Sequence, residues 1–184
     1  GSVPKVLWEK TNKPDNINRI ELSMRCLLAD DGENVIIVET GIGHKNPKKF
    51  IEMFAINHDK NTLSNTLSDI GYSKENITHI ILTHLHFDHA GGLLTAYQER
   101  QAPDLLFPNA TFMVGEEAWE RAQKPHARDR ASFIPELQKL LLQSKRLHII
   151  KDIDAPSLLG AGYRFHLSHG HTPGLILSEI DMPG

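Results

Sequence analysis

The sequence is poor in several features that particular classes of protein require. It contains one cysteine, Cys26, so no disulfide can form within the chain. That residue lies in an apolar stretch, where a buried and unreactive thiol is the simplest interpretation. No apolar run approaches the roughly 20 residues that cross a bilayer. The chain has 20 basic and 23 acidic side chains, which gives a formal net charge of −3. These absences argue against a disulfide-stapled secreted domain, a membrane protein and a nucleic-acid-binding protein. We therefore expect a cytoplasmic protein.

What the chain does contain is an ordinary globular composition over a length that suits one domain. Hydrophobic residues make up 40% of its 184 residues and charged residues 23%. The leading Gly1-Ser2 pair is interpreted as a cloning scar. Residues 3–184 are therefore predicted to form a single domain. The eleven histidines are the one unusual feature of the composition.

Strand and helix patterns alternate along the chain, which predicts a layered α/β fold. Apolar runs bounded by turn residues predict strands at Ile20–Ala29, Val35–Glu39, Ile77–Thr83, Ala110–Val114, Leu147–Ile150, Tyr163–Leu167 and Leu175–Ile180. Apolar residues at helical spacing predict helices at Pro47–Phe54, Leu63–Ile70, Leu93–Glu99, Glu116–Gln123 and Phe133–Leu142. No glycine-rich phosphate-binding loop follows any of these strands.

A cluster of metal-ligating residue types follows the third predicted strand. It reads His84-x-His86-x-Asp88-His89 and is followed by two glycines. Imidazole nitrogens and carboxylate oxygens suit Zn²⁺. Side chains two apart on extended backbone point to the same side, so His84 and His86 can converge, and Asp88 and His89 lie past the strand, where the chain can aim them at a second metal. The pattern predicts a metal site at this strand end.

These residues resemble a known family. The segment from Thr83 to Gly92 is similar to the signature of the metallo-β-lactamase superfamily, and Gly170-His171-Thr172-Pro173-Gly174 resembles its next motif. Glu39-Thr40-Gly41 sits where the family usually has Asp-Thr-Gly. Phe107-Pro108-Asn109-Ala110 is similar to a branch that contains lactonases and phosphotriesterases. The resemblance runs from about Met24 to the end of the chain. It implies a four-layer αβ/βα sandwich, of which this chain would supply the N-terminal half to two-thirds.

The resemblance also implies roles for the motif residues. His84, His86 and His171 would bind a first zinc ion, and Asp88 and His89 would bind a second. A metal-bound hydroxide would be the nucleophile, because zinc lowers the pKa of bound water towards about 7. Asp88 would be catalytic, orienting this hydroxide and shuttling a proton. The same ligand types also admit Fe or Mn.

Two departures from the family pattern bear on activity. Glu39 replaces the usual aspartate, which is mostly structural in the family, so an adjusted loop is expected rather than lost activity. The chain also ends at Gly184, before the family's bridging aspartate and last histidine. Asp181 is a poor substitute, because it lies in a turn before the strand that carries that aspartate. We expect at most one zinc per chain and impaired or absent activity in these 184 residues.

The leading hypothesis is therefore a zinc-dependent hydrolase that acts on the ester, lactone or phosphotriester bond of a small molecule. One alternative is an iron-dependent sulfur dioxygenase or a di-iron redox relative. Another is a fragment that binds metal without catalysis. No substrate-binding residue is assigned from the sequence, and neither nucleic acid nor membrane is an expected partner.

The segment between the two histidine motifs has simpler interpretations. Trp119 and Phe133 are interpreted as core side chains. The stretch from Arg121 to Arg130 is charged enough to be a solvated face.

An incomplete sandwich also leads to an expectation about assembly. Val35, Ile37, Ile81 or their neighbours would lack part of their cover, and Leu175–Ile180 would be an unguarded edge strand. We expect self-association through the uncovered sheet face.

Overall fold

The computed structural model describes residues 3–59, 61–151 and 158–181. Across these ranges, seven strands form in chain order: β1 (Leu27–Asp30), β2 (Val35–Val38), β3 (His79–Leu82), β4 (Thr111–Gly115), β5 (Leu147–Ile150), β6 (Tyr163–Ser168) and β7 (Leu175–Ile180). The α-helices of the same ranges are α1 (Lys5–Trp8), α2 (Lys48–Phe54), α3 (Leu63–Asp69), α4 (Phe87–Ala90), α5 (Glu116–Gln123) and α6 (Pro135–Ser144). None of the helices in this part of the chain has the length and hydrophobicity that crossing a membrane requires.

The strands form two sheets. A five-stranded sheet has the order β1-β2-β3-β4-β5, in which β1 and β2 are antiparallel and the remaining neighbours are parallel. Parallel neighbours need crossover connections, and helices α2, α3, α5 and α6 lie in those connections. The second sheet is the antiparallel pair β6–β7. The mixed α/β fold predicted from the sequence is confirmed.

The large sheet is covered on both faces. Successive side chains of a strand point to opposite faces, and β3 shows this alternation. Ile80 and Leu82 are buried in a core with α5 and α6, whereas Ile81 is buried in a second core beneath the small sheet. That second core includes Phe165 of β6 and Ile176 of β7.

The expectation of an uncovered face was wrong for the residues it named. Ile37 is 1% exposed in the helix-side core and Ile81 is 0% exposed in the other. Val35 is partly buried against the helix-side core. Side chains of β6 and β7, together with Leu159, share the core in which Ile81 is buried. Cover is incomplete instead on the small sheet itself, where Leu167 shares the inner face of Ile176 yet is 41% exposed.

Two predicted elements also differ from the structure. The strand expected at Ile20–Ala29 is regular only in β1, and residues 20–26 have no regular structure. The last pair of the hairpin is Leu27 with Val38, and the next residue, Glu39, has a left-handed backbone, so residues 20–26 have no partner strand. The helix expected at Leu93–Glu99 is also absent, because Leu94 pairs with Leu105 as an isolated bridge.

Candidate metal centre

Two of the predicted ligands, His84 and His86, lie in an extended segment directly after β3. Leu85 between them is fully buried in the helix-side core, which fixes the local direction of the backbone. His84 and His86 are 1% and 6% exposed, and their ring centroids lie 4.5 Å apart. The expected convergence of these two rings is therefore present in the structure.

The third predicted ligand arrives from the other sheet. His171 lies in the loop between β6 and β7, and its ring centroid is 5.0 Å from that of His84 and 5.1 Å from that of His86. The amide of Ile176 donates a 3.0 Å hydrogen bond to the carbonyl of Thr83, which ties the start of β7 to the end of β3. One potential ligand atom from each of the three histidines lies within 4.8 Å of the others.

The free nitrogens of this group fit a metal ion. The Nδ1 of His84 is 2.8 Å from the Thr83 hydroxyl, whereas its Nε2 is buried and has no hydrogen-bond partner among the described residues. The Nδ1 of His86 is 3.2 Å from the Nε2 of His171. Two nitrogens bound tetrahedrally to zinc at about 2.0–2.1 Å would be roughly 3.3 Å apart. A buried nitrogen without a partner is costly unless something else binds it, so the three rings suit a cation.

Electrostatics keeps the buried rings in the form that binds metal. Burial, together with the smaller effects of the neighbouring rings of His89, His86 and His171, lowers the pKa of His84 to about 2. Burial is also the main reason that the pKa of His86 is lowered. Neutral imidazole is the form that ligates a metal, so both residues are ready to bind at neutral pH.

Asp88 and His89 stand beside this group on α4 without belonging to it. Asp88 Oδ2 and His89 Nε2 are 3.6 Å apart, and the His89 ring lies 4.1 Å from that of His84. The backbone at the end of α4 packs closely against the loop after β2, since a Cβ on Gly91 or Gly92 would collide with that loop. This placement offers one carboxylate and one imidazole nitrogen next to the three-histidine group.

Glu39 contributes more than the adjusted loop that the sequence suggested. It is 8% exposed, and its backbone φ is 69°, in the left-handed region that disfavours side chains. Its Oε1 accepts a 2.6 Å hydrogen bond from the Thr83 amide, and its Oε2 contacts His89 Nδ1. Burial opposes protonation of His89, but the contact and charge of Glu39, with Asp88, raise the pKa of that ring. Glu39 therefore fixes the His89 ring with Nε2 on the side of Asp88.

A signal for this role was present in the sequence. Glu39 comes directly after β2, which lies parallel to β3, so its side chain emerges beside the residues that follow β3. An acid at that position is therefore well placed to meet the histidine motif.

A cleft of about 320 Å³ opens beside Asp88 and His89. Its other wall is formed by residues 22–25, within the segment that the sequence predicted as strand. The second pair of candidate ligands therefore lines a cleft. Asp181 pairs with Arg164 on the small sheet.

The insertion between the motifs approaches the site through Phe133. Trp119 and Phe133 are 7% and 8% exposed, so both are core side chains as predicted. Phe133 also forms a β-bridge with His86, and its ring packs edge-on against the imidazole at 4.8 Å. The expectation of a solvated face was wrong for two residues of this stretch, because Arg121 and Asp129 form a partly buried ion pair at 2.8 Å.

Comparison with known proteins places the chain in a family. Residues 23–184 match the model of the Metallo-beta-lactamase superfamily. The chain belongs to this superfamily. An N-acyl homoserine lactonase from a Bacillus species is 26% identical over 176 residues, which cover 90% of this chain and 62% of that relative. A Bacillus cereus N-acyl homoserine lactonase is 25% identical over 178 residues, covering 91% of this chain and 62% of the relative.

Solved structures of the superfamily share the fold. A probable metal-dependent hydrolase from Staphylococcus aureus aligns with a TM-score of 0.83 at 26% identity, over 100% of this chain and 62% of that one. AidC, a dizinc quorum-quenching lactonase in complex with a product, aligns with a TM-score of 0.61 at 28% identity, over 85% of this chain and 52% of its own. This superfamily member therefore spans about 62% of the length of the curated relatives it matches.

Proposed function

We propose that the protein is a zinc-dependent hydrolase that opens the ester bond of a small lactone. The observation that carries the proposal is the three-histidine group, whose buried His84 Nε2 has no other partner in the described ranges. His84, His86 and His171 would hold one metal ion. Asp88 and His89 would supply ligands for a second.

Each side chain has a distinct task in this proposal. Zinc in such a site lowers the pKa of bound water and polarises the scissile carbonyl oxygen. Asp88 is about one-third exposed beside the cleft, where it can orient the attacking water and carry its proton to the leaving alkoxide. Glu39 holds His89 by Nδ1, so that Nε2 stays available on the side of Asp88.

The choice of lactone rests on two curated relatives at 25–26% identity, both named N-acyl homoserine lactonases. Aryl esters and phosphotriesters are the competing substrates, because the same metal chemistry serves all three. The protein's cytoplasmic location remains a prediction from the sequence.

We also propose that these 184 residues alone bind at most one zinc and hydrolyse substrate poorly. Asp88 is the one carboxylate among the predicted metal ligands His84, His86, Asp88, His89 and His171. Two zinc ions held by these side chains alone would have little negative charge to offset their repulsion. Native mass spectrometry of the chain is the check, and two tightly held zinc ions per chain would contradict the proposal.

Activity is tested on this chain and on a chain that carries its natural flanking sequence. Both are loaded with Zn²⁺, Fe²⁺ or Mn²⁺ and assayed on an N-acyl homoserine lactone, an aryl ester and a phosphotriester. We expect the zinc form to prefer the lactone. His86→Ala should lower kcat/KM by more than about 100-fold, since even the loss of a ligand's hydrogen-bond partner costs 10–100-fold.

His166→Ala is the matched control, because His166 is exposed and its side-chain hydrogen bond within the described residues is to Glu179. Equal rates for the parent and His86→Ala would refute the assignment. A preference for iron with oxygen consumption would instead support the dioxygenase alternative.

A further inference from the structure

Besides His84 Nε2, two further buried polar atoms in this region matter here because neither has a hydrogen-bond partner in the described part of the chain. One is His86 Nε2 and the other is Asp129 Oδ1. The second oxygen of Asp129 is not free, because the Nε and Nη2 of Arg121 each lie 2.8 Å from Oδ2. Arg121 therefore holds the Asp129 carboxylate through Oδ2, and Oδ1 remains an unused hydrogen-bond acceptor.

The backbone brings this carboxylate towards His86. Asp129 begins a short turn in which its carbonyl accepts a 2.8 Å hydrogen bond from the Ser132 amide. The next residue, Phe133, forms the β-bridge and the edge-on ring contact with His86. The proximity also has an electrostatic effect. Burial and the neighbouring His171 lower the pKa of His86, and the charges of Asp88 and Asp129 act in the opposite direction.

Metal binding would change what the His86 ring requires. If Nδ1, the nitrogen facing His171, is used for the metal, the proton of the neutral ring must sit on Nε2. That atom is buried, so its N–H becomes a donor in need of an acceptor. Metal-ligating histidines generally donate their second nitrogen to a carboxylate, carbonyl or water, which fixes the ring's tautomer and orientation.

We propose that Asp129, held by Arg121, accepts the Nε2–H of metal-bound His86 and positions that ligand. Asp129 and Arg121 are thus positioning residues for the metal centre, supplied by the segment between the two histidine motifs. The inference rests on the proposed function only in requiring that His86 binds a metal. It assigns a role to two residues outside the sequence motifs.

The test compares Asp129→Asn with Glu120→Gln, which removes the charge of an exposed acid on the neighbouring α5. Zinc affinity is measured by competition with a chelator. The imidazole protons of the zinc-bound protein are followed by ¹⁵N-resolved NMR. We expect Asp129→Asn to weaken zinc binding 10–100-fold and to shift the His86 Nε2–H resonance. Glu120→Gln should change neither.

A purely structural role for Asp129 predicts a different result. It would lower the melting temperature of Asp129→Asn but leave the His86 Nε2–H resonance and the zinc affinity of the folded protein unchanged, and that outcome overturns the inference. Arg121→Lys is the milder variant if Asp129→Asn does not fold, because lysine keeps the charge but loses the planar fork. It should shift the same resonance by less, and an unchanged resonance overturns the inference as well.

The same measurements separate this inference from the proposed function. If wild-type protein binds no zinc, or if His84→Ala binds it equally well, the proposed function and the inference both fail. If wild-type protein binds zinc through His84 but the Asp129 variant is indistinguishable from it, the inference alone fails.

Discussion

Glu39 joins two strand ends through one side chain. Its carboxylate accepts a hydrogen bond from the Thr83 amide and contacts His89, while its backbone has a φ of 69°. Glu39→Ala would leave that amide without a hydrogen-bond acceptor. It would not relieve the backbone strain, since alanine is also disfavoured at positive φ. We expect a loss of about 1–3 kcal/mol, which lowers the Tm of a chain of this size by roughly 2–12 °C.

The thermal unfolding of Glu39→Ala is compared with that of Glu33→Ala. Glu33 lies in the exposed turn between β1 and β2, and its side chain has no partner in the described residues. We expect Glu33→Ala to melt within about 1–2 °C of wild type. Equal melting of wild type and Glu39→Ala would show that Glu39 does not support the end of β3.

The spacing of the histidines was informative because extended chain has a fixed geometry. Side chains two apart share a side, so His84 and His86 could be paired from the sequence, and the structure brings them together with His171. Their binding of metal remains a prediction. The pair Arg121 and Asp129 was missed, because its two members look like any charged surface until the turn before Phe133 folds onto His86. Sequence reveals local periodicity, whereas this contact depends on tertiary packing.

The loop between β6 and β7 depends on one glycine for its position. Gly174 has a φ of 70°, and a Cβ there would lie 2.5 Å from the Glu117 Cβ and 2.6 Å from the Ala118 amide nitrogen at the start of α5. Gly174→Ala should therefore push the loop off α5 and carry His171 away from the other two histidines. The left-handed backbone alone costs about 1–2 kcal/mol.

Zinc affinity, measured by chelator competition, and Tm should both fall in Gly174→Ala. Gly170→Ala is the control from the same loop, since its backbone φ is ordinary and a Cβ there would meet only the Ser168 hydroxyl at 4.0 Å. If both variants bind zinc as the wild type does, the loop does not need α5 to place His171.

A tyrosine connects the two sheets at the opposite end from the histidines. Tyr163 of β6 is buried, and its hydroxyl donates a 2.8 Å hydrogen bond to Asp31 in the β1–β2 turn. Hydrogen bonds from the amides of Asn34 and Glu33, and then from Tyr163, lower the pKa of Asp31 to about 2. A carboxyl group with a depressed pKa contributes stability above its unfolded value of about 3.8–3.9. That contribution is lost as the pH falls towards 2.

Tyr163→Phe removes the hydroxyl and keeps the packed ring. We expect a loss of about 0.5–1 kcal/mol at pH 6, at the low end for a hydrogen bond to a charged group because Asp31 is exposed. The difference in Tm between wild type and Tyr163→Phe should narrow between pH 4 and pH 2, as Asp31 becomes protonated. A difference that stays constant over that range would mean that Asp31 is not the relevant partner.

The strands were the most predictable elements of the fold. Leu147–Ile150 and Leu175–Ile180 agree with their predicted bounds, because turn residues delimit each of these mainly apolar segments. The helix predicted at Leu93–Glu99 was wrong. Its apolar residues have helical spacing, but the pairing of Leu94 with Leu105, a tertiary contact, overrides that local preference. The strand predicted over residues 20–26 was wrong for a related reason. A strand needs a partner, and β2 ends too early to provide one.

Taken together, the described elements close the core of the large sheet but leave the small sheet exposed. In the described ranges β6 and β7 share a sheet only with each other, so apart from the Ile176–Thr83 hydrogen bond their outer edges carry unpaired backbone groups. Leu177 is 52% exposed on the outer face of this pair, and Leu167 is 41% exposed on the inner face. Leu177 and the two outer edges define the surface through which we expect self-association.

We therefore predict that this chain self-associates through β6–β7 rather than through the large sheet. Covering the exposed half of the Leu177 side chain contributes about 1 kcal/mol, and edge pairing adds backbone hydrogen bonds. Leu177→Lys should shift the chain towards the monomer in multi-angle light scattering, because burying a lysine charge at the same contact is unfavourable. Leu142→Lys is the matched control, since Leu142 is 55% exposed on α6, away from the small sheet. A wild-type chain that stays monomeric and binds no hydrophobic dye would contradict the prediction. Dissociation by Leu142→Lys alone would instead place the contact on α6.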